Sequence, residues 1–307
     1  MLMDIILLIA GFLFLTYGAD MFIDGASALA RRFHIPEIVI GLTVVAFGTS
    51  LSEASVSIAS VLHGADGVAV GNILGSNIAN IFLFLGITAI ITTLSIQKNT
   101  IRYEIPFVGF ITVLLMWVGA IYGVISRFWS GVLVALLCLF LFYLVCCSRR
   151  EIESDTPTPN ISGIRTILFL VVGIAAVIFS SNLIVDSSVN IARALNISER
   201  VIGLTIIAFG TSLPELVTCI VAAIKRRSDL AVGNIIGSNI INILFVLGVT
   251  GLIKPIPFEP AFLIDGAVGV IAVVMLLLFV FRCGKLTRGN GIVLFLSYFI
   301  YLGYLFM

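Results

Sequence analysis

Two acidic residues carry most of the chemistry that this sequence can support. Glu53 ends the segment Gly41-Leu-Thr-Val-Val-Ala-Phe-Gly-Thr-Ser-Leu-Ser-Glu53, and Glu215 ends its near-copy Gly203-Leu-Thr-Ile-Ile-Ala-Phe-Gly-Thr-Ser-Leu-Pro-Glu215. On a helix, Thr49 and Ser50 lie four and three residues before Glu53, so hydroxyls and carboxylate share one face, and Thr211, Ser212 and Glu215 repeat the pattern. A second duplicated segment follows each. Gly71 to Asn80 returns as Gly233 to Asn242, and it places Asn72, Ser76 and Asn80, then Asn234, Ser238 and Asn242, at every fourth position as polar stripes. Every group on these faces is an oxygen donor or an amide, with no histidine or thiol. Hard cations such as Ca²⁺ take six to eight oxygen ligands, whereas zinc or copper would recruit His or Cys. The residues therefore argue for binding of Ca²⁺, Na⁺ or a proton. Two carboxylates brought together in low dielectric repel, and one Ca²⁺, two Na⁺ or two protons would cancel that charge. Competition for one site is the physical basis of exchange.

The elements that must position these groups are membrane helices. Of 307 residues, 60% are hydrophobic and 11% charged, and the mean hydropathy is +1.23. A soluble chain is roughly 45–50% apolar and about 25% charged, so a soluble fold is excluded. The apolar runs extend over roughly 20 residues without period-2 alternation, which selects helices over a barrel. Ten spans are expected, near 5–30, 36–62, 68–93, 104–124, 128–147, 164–192, 198–224, 230–253, 260–281 and 289–306. The first lacks a basic n-region and a small-residue cleavage site, so it reads as a mature helix rather than a signal peptide. Both glutamates fall well inside spans, where an ionised side chain costs at least about 2.5–3.5 kcal/mol. The net charge of +1 gives no electrostatic case for nucleic acid. The five cysteines, Cys138, Cys146, Cys147, Cys219 and Cys283, read as small packing residues.

The copies are separated by 162 residues, measured at Glu53 and Glu215 or at Asn80 and Asn242, and Asp24 and Asp186 keep the spacing. Each repeat holds five spans. An odd number makes the second copy enter the membrane from the opposite side, so the fold class expected is an all-α integral membrane protein of two inverted five-helix repeats. These occupy 1–147 and 164–307, joined by a cytoplasmic linker at 148–163, and the substrate site lies near the midplane where the halves meet. Loops after odd-numbered spans hold thirteen of the Lys and Arg residues and the other side holds four, which places both termini outside a cell membrane. Tyr122, Phe128 and Trp129 then fit an outer aromatic belt. Asp20, Asp24, Asn182 and Asp186 lie toward span ends and suit structural or gating roles. His34 and His63 read as interfacial. Gly71 and Gly75, like Gly233 and Gly237, have the small-residue spacing that lets helices approach closely. Pro214 removes a helix hydrogen bond at the Gly210 carbonyl and frees or tilts those of Ala208 and Thr211. The first copy has Ser52 there, bonding back to Gly48, so a sharper break is expected near 208–214 than near 46–52.

At these residues the chain resembles the cation/Ca²⁺ exchanger superfamily, closest to the prokaryotic sodium/calcium exchangers. The ten-span plan extends that resemblance over nearly the whole chain, and the two segments at 41–91 and 203–253 make it specific. It implies a bundle of eight steep helices around the ion site, with spans 1 and 6 as long tilted helices that slide to alternate access. By the same resemblance, Ca²⁺ would be held by the Glu53 and Glu215 carboxylates with the Thr49 and Thr211 carbonyls. Na⁺ positions would use Ala46, Thr49, Ser50, Glu53 and Ser76 on one side, and Ala208, Thr211, Ser212, Glu215 and Ser238 on the other, with Asn80 and Asn242 in the middle. Many members of the family have Asp where this chain has Asn242, a departure that lowers the maximum site charge from −3 to −2.

The function expected is a secondary antiporter in which inward Na⁺ drives Ca²⁺ out, with the two ions as substrates, the bilayer as surroundings, no cofactor and no obligatory protein partner. A proton/Ca²⁺ exchanger is the alternative within the class, because two protons also neutralise two glutamates. Ser hydroxyls beside each Glu favour Na⁺. A channel usually builds its filter as a ring of repeated elements, which a pair of copies within one chain suits less well than a carrier. An enzyme is disfavoured by the absence of a nucleophile and base pair, a nucleotide loop or a His-rich metal site.

Overall fold

A computed structural model describes residues 2–63, 66–147, 162–194 and 208–305. The chain is helical almost throughout. Its two longest helices, α1 (Leu2–Phe33) and α7 (Gly163–Ala194), have 32 residues each. At 1.5 Å per residue each runs about 48 Å, well beyond a hydrocarbon core of about 30 Å. They pack against each other antiparallel. Gly11 faces Ile184, Gly18 faces Ala176 and Val177, and Gly25 faces Leu170, so one number rises as the other falls. Glycines at seven-residue spacing leave one smooth seam along α1.

The signature segment of the first copy forms α2 (Glu37–Thr49) and α3 (Leu51–Leu62), which meet at 46° across Ser50. The first copy is thus itself broken at Ser50, without a proline. The Ser52 hydroxyl donates to the Thr49 carbonyl at 3.2 Å, not to Gly48, and such back-bonding bends helices as a proline does. In the second copy a helical turn, Ala208–Gly210, leads through Thr211 and Ser212 into α8 (Leu213–Ile224), with Pro214 in its first turn. Residues 198–207 of the expected seventh span lie outside the described residues, so the two bends cannot be set side by side. Residues 148–161 of the linker do as well.

The most buried helices are α4 (Gly67–Ile91) and α9 (Ser228–Ile253), with 83% of their apolar windows covered by protein against 22% for α1. Each contains a six-residue π-helical stretch, Asn80–Leu85 and Asn242–Leu247, in register with the 162-residue spacing. Outside them stand α5 (Thr100–Tyr122), α6 (Arg127–Cys147), α10 (Phe262–Phe281) and α11 (Arg288–Leu305). Among the described residues seven helices are long and apolar enough to cross a membrane, or eight if α2 and α3 count as one span. The tenth expected span corresponds to α11, an 18-residue helix whose first turn carries Arg288 and Asn290.

Two short antiparallel ribbons cap the bundle, each with one strand from either half of the chain. β1 (Leu94–Ser95) pairs with β4 (Lys285–Leu286), and β2 (Val124–Ile125) pairs with β3 (Ile256–Pro257). Gly123 and Gly284 precede β2 and β4 with the same φ of 62°, a left-handed turn that favours glycine. Arg127 donates to the Ile253 carbonyl at 3.2 Å and Arg288 to the Ile91 carbonyl at 3.3 Å, so each ribbon end is fastened in the same way.

Charged side chains tie helix ends together. Lys225, at the end of α8, meets Asp20 at 2.8 Å and Asp24 at 2.7 Å on α1. Arg227 pairs with Glu37, both buried, and joins the starts of α9 and α2. Of the cysteines described, only Cys219 is a buried packing residue; Cys138 and Cys146 are exposed on the outer face of α6, and Cys283 is exposed in the turn before β4. The rings of Trp117, Tyr122, Phe128 and Trp129 form one cluster, with Trp117 and Trp129 edge to face at 5.5 Å.

Of the four signature glycines, Gly233 and Gly237 bring α9 against the backbone of α2. A Cβ at Gly237 would lie 2.7 Å from Leu42 Cα and 2.8 Å from Ala46 Cβ. Backbone cannot rotate aside, so Gly237→Ala is expected to destabilise by about 1–3 kcal/mol. Gly131→Ala in α6 meets no described atom within 4 Å and gains helix propensity worth about 1 kcal/mol. Thermal unfolding in detergent should move the two melting temperatures in opposite directions.

Candidate functional site

The breaks between α2 and α3 and before α8 place Glu53 and Glu215 in the first turns of their helices. There the free backbone N–H groups and the helix dipole favour a negative charge. Both side chains are buried, with exposures of 0% and 1%. The hydroxyls from the breaks reach across to the opposite glutamate. Ser50 Oγ donates to Glu215 Oε1 at 3.2 Å, and Ser212 Oγ donates to Glu53 Oε1 at 2.9 Å. These bonds exchange partners under the 162-residue spacing, so each copy holds the acid of the other.

The neighbouring helices complete the wall. Ser76 Oγ lies 3.1 Å from Ser212 Oγ, and Ser238 Oγ lies 3.5 Å from Thr49 Oγ1. Thr49 Oγ1 is also 3.1 Å from Asn234 Oδ1. Asn234 donates to the Glu215 carbonyl at 3.3 Å and to Thr218 Oγ1 at 2.9 Å. Asn72 has the matching place, 3.5 Å from the Glu53 carbonyl and 3.2 Å from Ser57 Oγ. The polar stripes therefore divide their work: the first asparagine of each braces the helix that carries the glutamate, and the serine and last asparagine face inward.

Of the residues singled out by sequence, Glu53, Glu215, Thr49, Ser50, Ser212, Ser76, Ser238, Asn80 and Asn242 are all buried in one region. Ala46 is buried beside them, with its carbonyl accepting the Ser50 N–H at 3.0 Å. Thr211 is half-buried in the second break, next to the turn begun by Ala208. Asp20 and Asp24 pair with Lys225 and not with the glutamates. Sequence reasoning passed over Asn77 and Asn239, which bond across the centre: each amide nitrogen donates to the other's backbone carbonyl, at 3.1 Å and 3.3 Å. Their recurrence inside the duplicated Gly-Ser-Asn segments was the available signal, but they lie off the every-fourth-residue stripe.

Four oxygens at this centre are buried without a hydrogen-bond partner: Glu53 Oε2, Glu215 Oε2, Asn80 Oδ1 and Asn242 Oδ1. An unsatisfied buried polar group costs about 1–3 kcal/mol, and more when charged. All four are acceptors, so a cation is the natural complement.

The fold and the donor set define an all-helical integral membrane protein with an oxygen-rich centre buried between duplicated segments. The family described as sodium/calcium exchanger protein matches residues 3–146 and 165–307. The chain is 38% identical to the inner membrane protein YrbG of Escherichia coli, with 100% of this chain and 98% of that protein covered. It is 31% identical to the sodium/calcium exchanger MaX1 of Methanosarcina acetivorans, with 99% and 98% covered. A solved structure of the sodium-calcium exchanger NCX_Mj, soaked with Na⁺ and Sr²⁺, matches with a TM-score of 0.87 at 34% identity, covering 98% of this chain and 97% of that one. The protein belongs to the sodium/calcium exchanger family, whose members are transporters and not enzymes.

The two bracing asparagines should differ in weight. Asn234 is fully buried and serves three partners, whereas Asn72 is half-buried with two longer contacts. Asn234→Leu is expected to cost about 1–3 kcal/mol for each buried group left unpaired, and Asn72→Leu less. Denaturant titration of the purified variants reads the difference.

Proposed function

We propose that this protein is a secondary antiporter that exchanges Na⁺ for Ca²⁺ at one shared site. The observation that carries the reading is the set of four unpartnered acceptor oxygens on Glu53, Glu215, Asn80 and Asn242. Ca²⁺ lies between the two carboxylates and adds the carbonyls of Thr49 and Thr211. The Thr49 carbonyl already accepts from Ser52, and its second lone pair serves the ion. Na⁺ occupies flanking positions built from Ala46, Thr49, Ser50, Glu53 and Ser76 and from Ala208, Thr211, Ser212, Glu215 and Ser238, with Asn80 and Asn242 lining the middle. The hydroxyls around each carboxylate favour Na⁺ over a proton as the coupling ion, because a proton needs no such cage.

In this reading the chain makes ten spans in two inverted repeats, 1–147 and 164–307, joined by a cytoplasmic linker at 148–163. The exchanged serine–glutamate bonds and the swapped ribbons support the twofold relation. Both termini lie outside the cell membrane, since the basic loops stay in the cytoplasm. The two long helices α1 and α7, packed together along their glycine seam, move as a pair over the remaining bundle, and Lys225 holds α1 through Asp20 and Asp24.

The test is ⁴⁵Ca²⁺ uptake into Na⁺-loaded proteoliposomes. Uptake should require the outward Na⁺ gradient, and Glu53→Gln or Glu215→Gln should each reduce it to the level of empty liposomes. A pH gradient that replaces Na⁺ as the driver would instead identify a proton/Ca²⁺ exchanger, and currents that need no counter-ion would identify a channel.

A further inference from the structure

The four asparagines where α4 meets α9 fix one another's orientation. Asn77 Nδ2 donates to the backbone carbonyl of Asn239, and Asn239 Nδ2 donates to that of Asn77. A carbonyl only accepts, so the nitrogen end of each amide is committed. Their Oδ1 atoms must then point the other way, and each meets a nitrogen: Asn77 Oδ1 accepts from Asn242 Nδ2 at 3.1 Å, and Asn239 Oδ1 accepts from Asn80 Nδ2 at 2.8 Å. That commits the second pair of amides in turn. What remains is Oδ1 of Asn80 and Oδ1 of Asn242, the two amide oxygens left buried and unpartnered, on stretches that pack against α8 and α3, the helices of Glu215 and Glu53. All four side chains are buried, so water does not compete for these bonds.

We propose that Asn77 and Asn239 are positioning residues that set the amide polarity of Asn242 and Asn80, so that oxygen and never nitrogen faces the ion. The proposal rests on the reading of this centre as a cation site and goes one step further, to specificity. Residues 77 and 242 form a matched pair. A carboxylate at 242 would bring one of its oxygens against Asn77 Oδ1, acceptor against acceptor. It would have to keep a proton, or Asn77 would have to give up its bond to the Asn239 backbone. The pairing therefore favours an amide at 242 and leaves the fixed charge of the site at −2, from Glu53 and Glu215 alone. Such a site is neutralised by one divalent or two monovalent cations.

The experiment is equilibrium ⁴⁵Ca²⁺ binding to the purified full-length protein, with Na⁺ as competitor, read across pH. Asn77→Leu keeps bulk but removes both polar ends, and it should weaken Ca²⁺ binding roughly tenfold, the effect of one misdirected ligand. Asn242→Asp should bind Ca²⁺ well only at higher pH, since its carboxyl keeps a proton against Asn77. Adding Asn77→Ser supplies a hydroxyl that can turn and donate, so the double variant should recover binding at neutral pH. A packing role alone would leave that pH profile unmoved. If Asn77→Leu folds poorly, the comparison of Asn242→Asp with and without Asn77→Ser decides. Wild-type affinity in Asn77→Leu, or the same pH profile for Asn242→Asp in both backgrounds, would overturn the inference while wild-type binding remains. Wild-type protein that binds neither ion would overturn the exchange function and this inference with it.

Discussion

Two carboxylates buried side by side in a helical membrane bundle are the constraint on which the rest of the structure depends. Low dielectric strengthens their mutual repulsion and removes the water that would otherwise solvate them. The fold answers with partial measures: a helix start under each acid, a serine from the opposite copy on one oxygen, and neutral amides close by. None of these supplies positive charge. Lys225 pairs with Asp20 and Asp24 and Arg227 with Glu37, and neither cation is paired with Glu53 or Glu215. In the exchange proposed above the compensating charge comes from a mobile ion, and a site that relies on one is suited to trading one ion for another.

The breaks in the signature helices follow from the same constraint. A continuous helix would bond its own N–H groups internally and offer nothing to a carboxylate inside the bilayer. Interrupting it exposes a helix start at that depth, and non-helical backbone is tolerated there because protein surrounds it. Serine and proline reach this result by different routes. Ser52 draws on the Thr49 carbonyl, whereas Pro214 lacks the N–H altogether, and the two unlike residues occupy equivalent positions in the first turn of α3 and of α8.

Much of this was legible in the sequence, because charge is scarce in it. Against an apolar background, Glu53 and Glu215 with their hydroxyl neighbours stand out, and duplication turned suspicion into a pattern. Hydropathy alone located the seven helices, or eight with α2 and α3 together, that are long and apolar enough to cross a membrane among the described residues. The break at Ser50 is less legible than one at a proline, because a side-chain hydroxyl that competes for a backbone carbonyl, as Ser52 does for that of Thr49, leaves no comparable mark. Asn77 and Asn239 were missed for a related reason. Helical periodicity assigns residues to faces, but a cross-helix bond between an amide and a distant carbonyl depends on how two helices are set against each other, which spacing within one helix does not encode. The exposure of Cys138 and Cys146 is likewise hidden, since in lipid an outward helix face is as apolar as an inward one.

The ribbons carry a consequence for ancestry. Each takes one strand from either half of the chain, and each glutamate takes its serine from the other half. A lone copy would leave two strands without mates and one acid without its donor, so each half draws part of its hydrogen bonding from the other. A forerunner with only one copy would have had to find these partners in a second molecule. A fusion of two such copies would fix that encounter at a one-to-one ratio and leave the halves free to differ, as they do at Ser52 and Pro214.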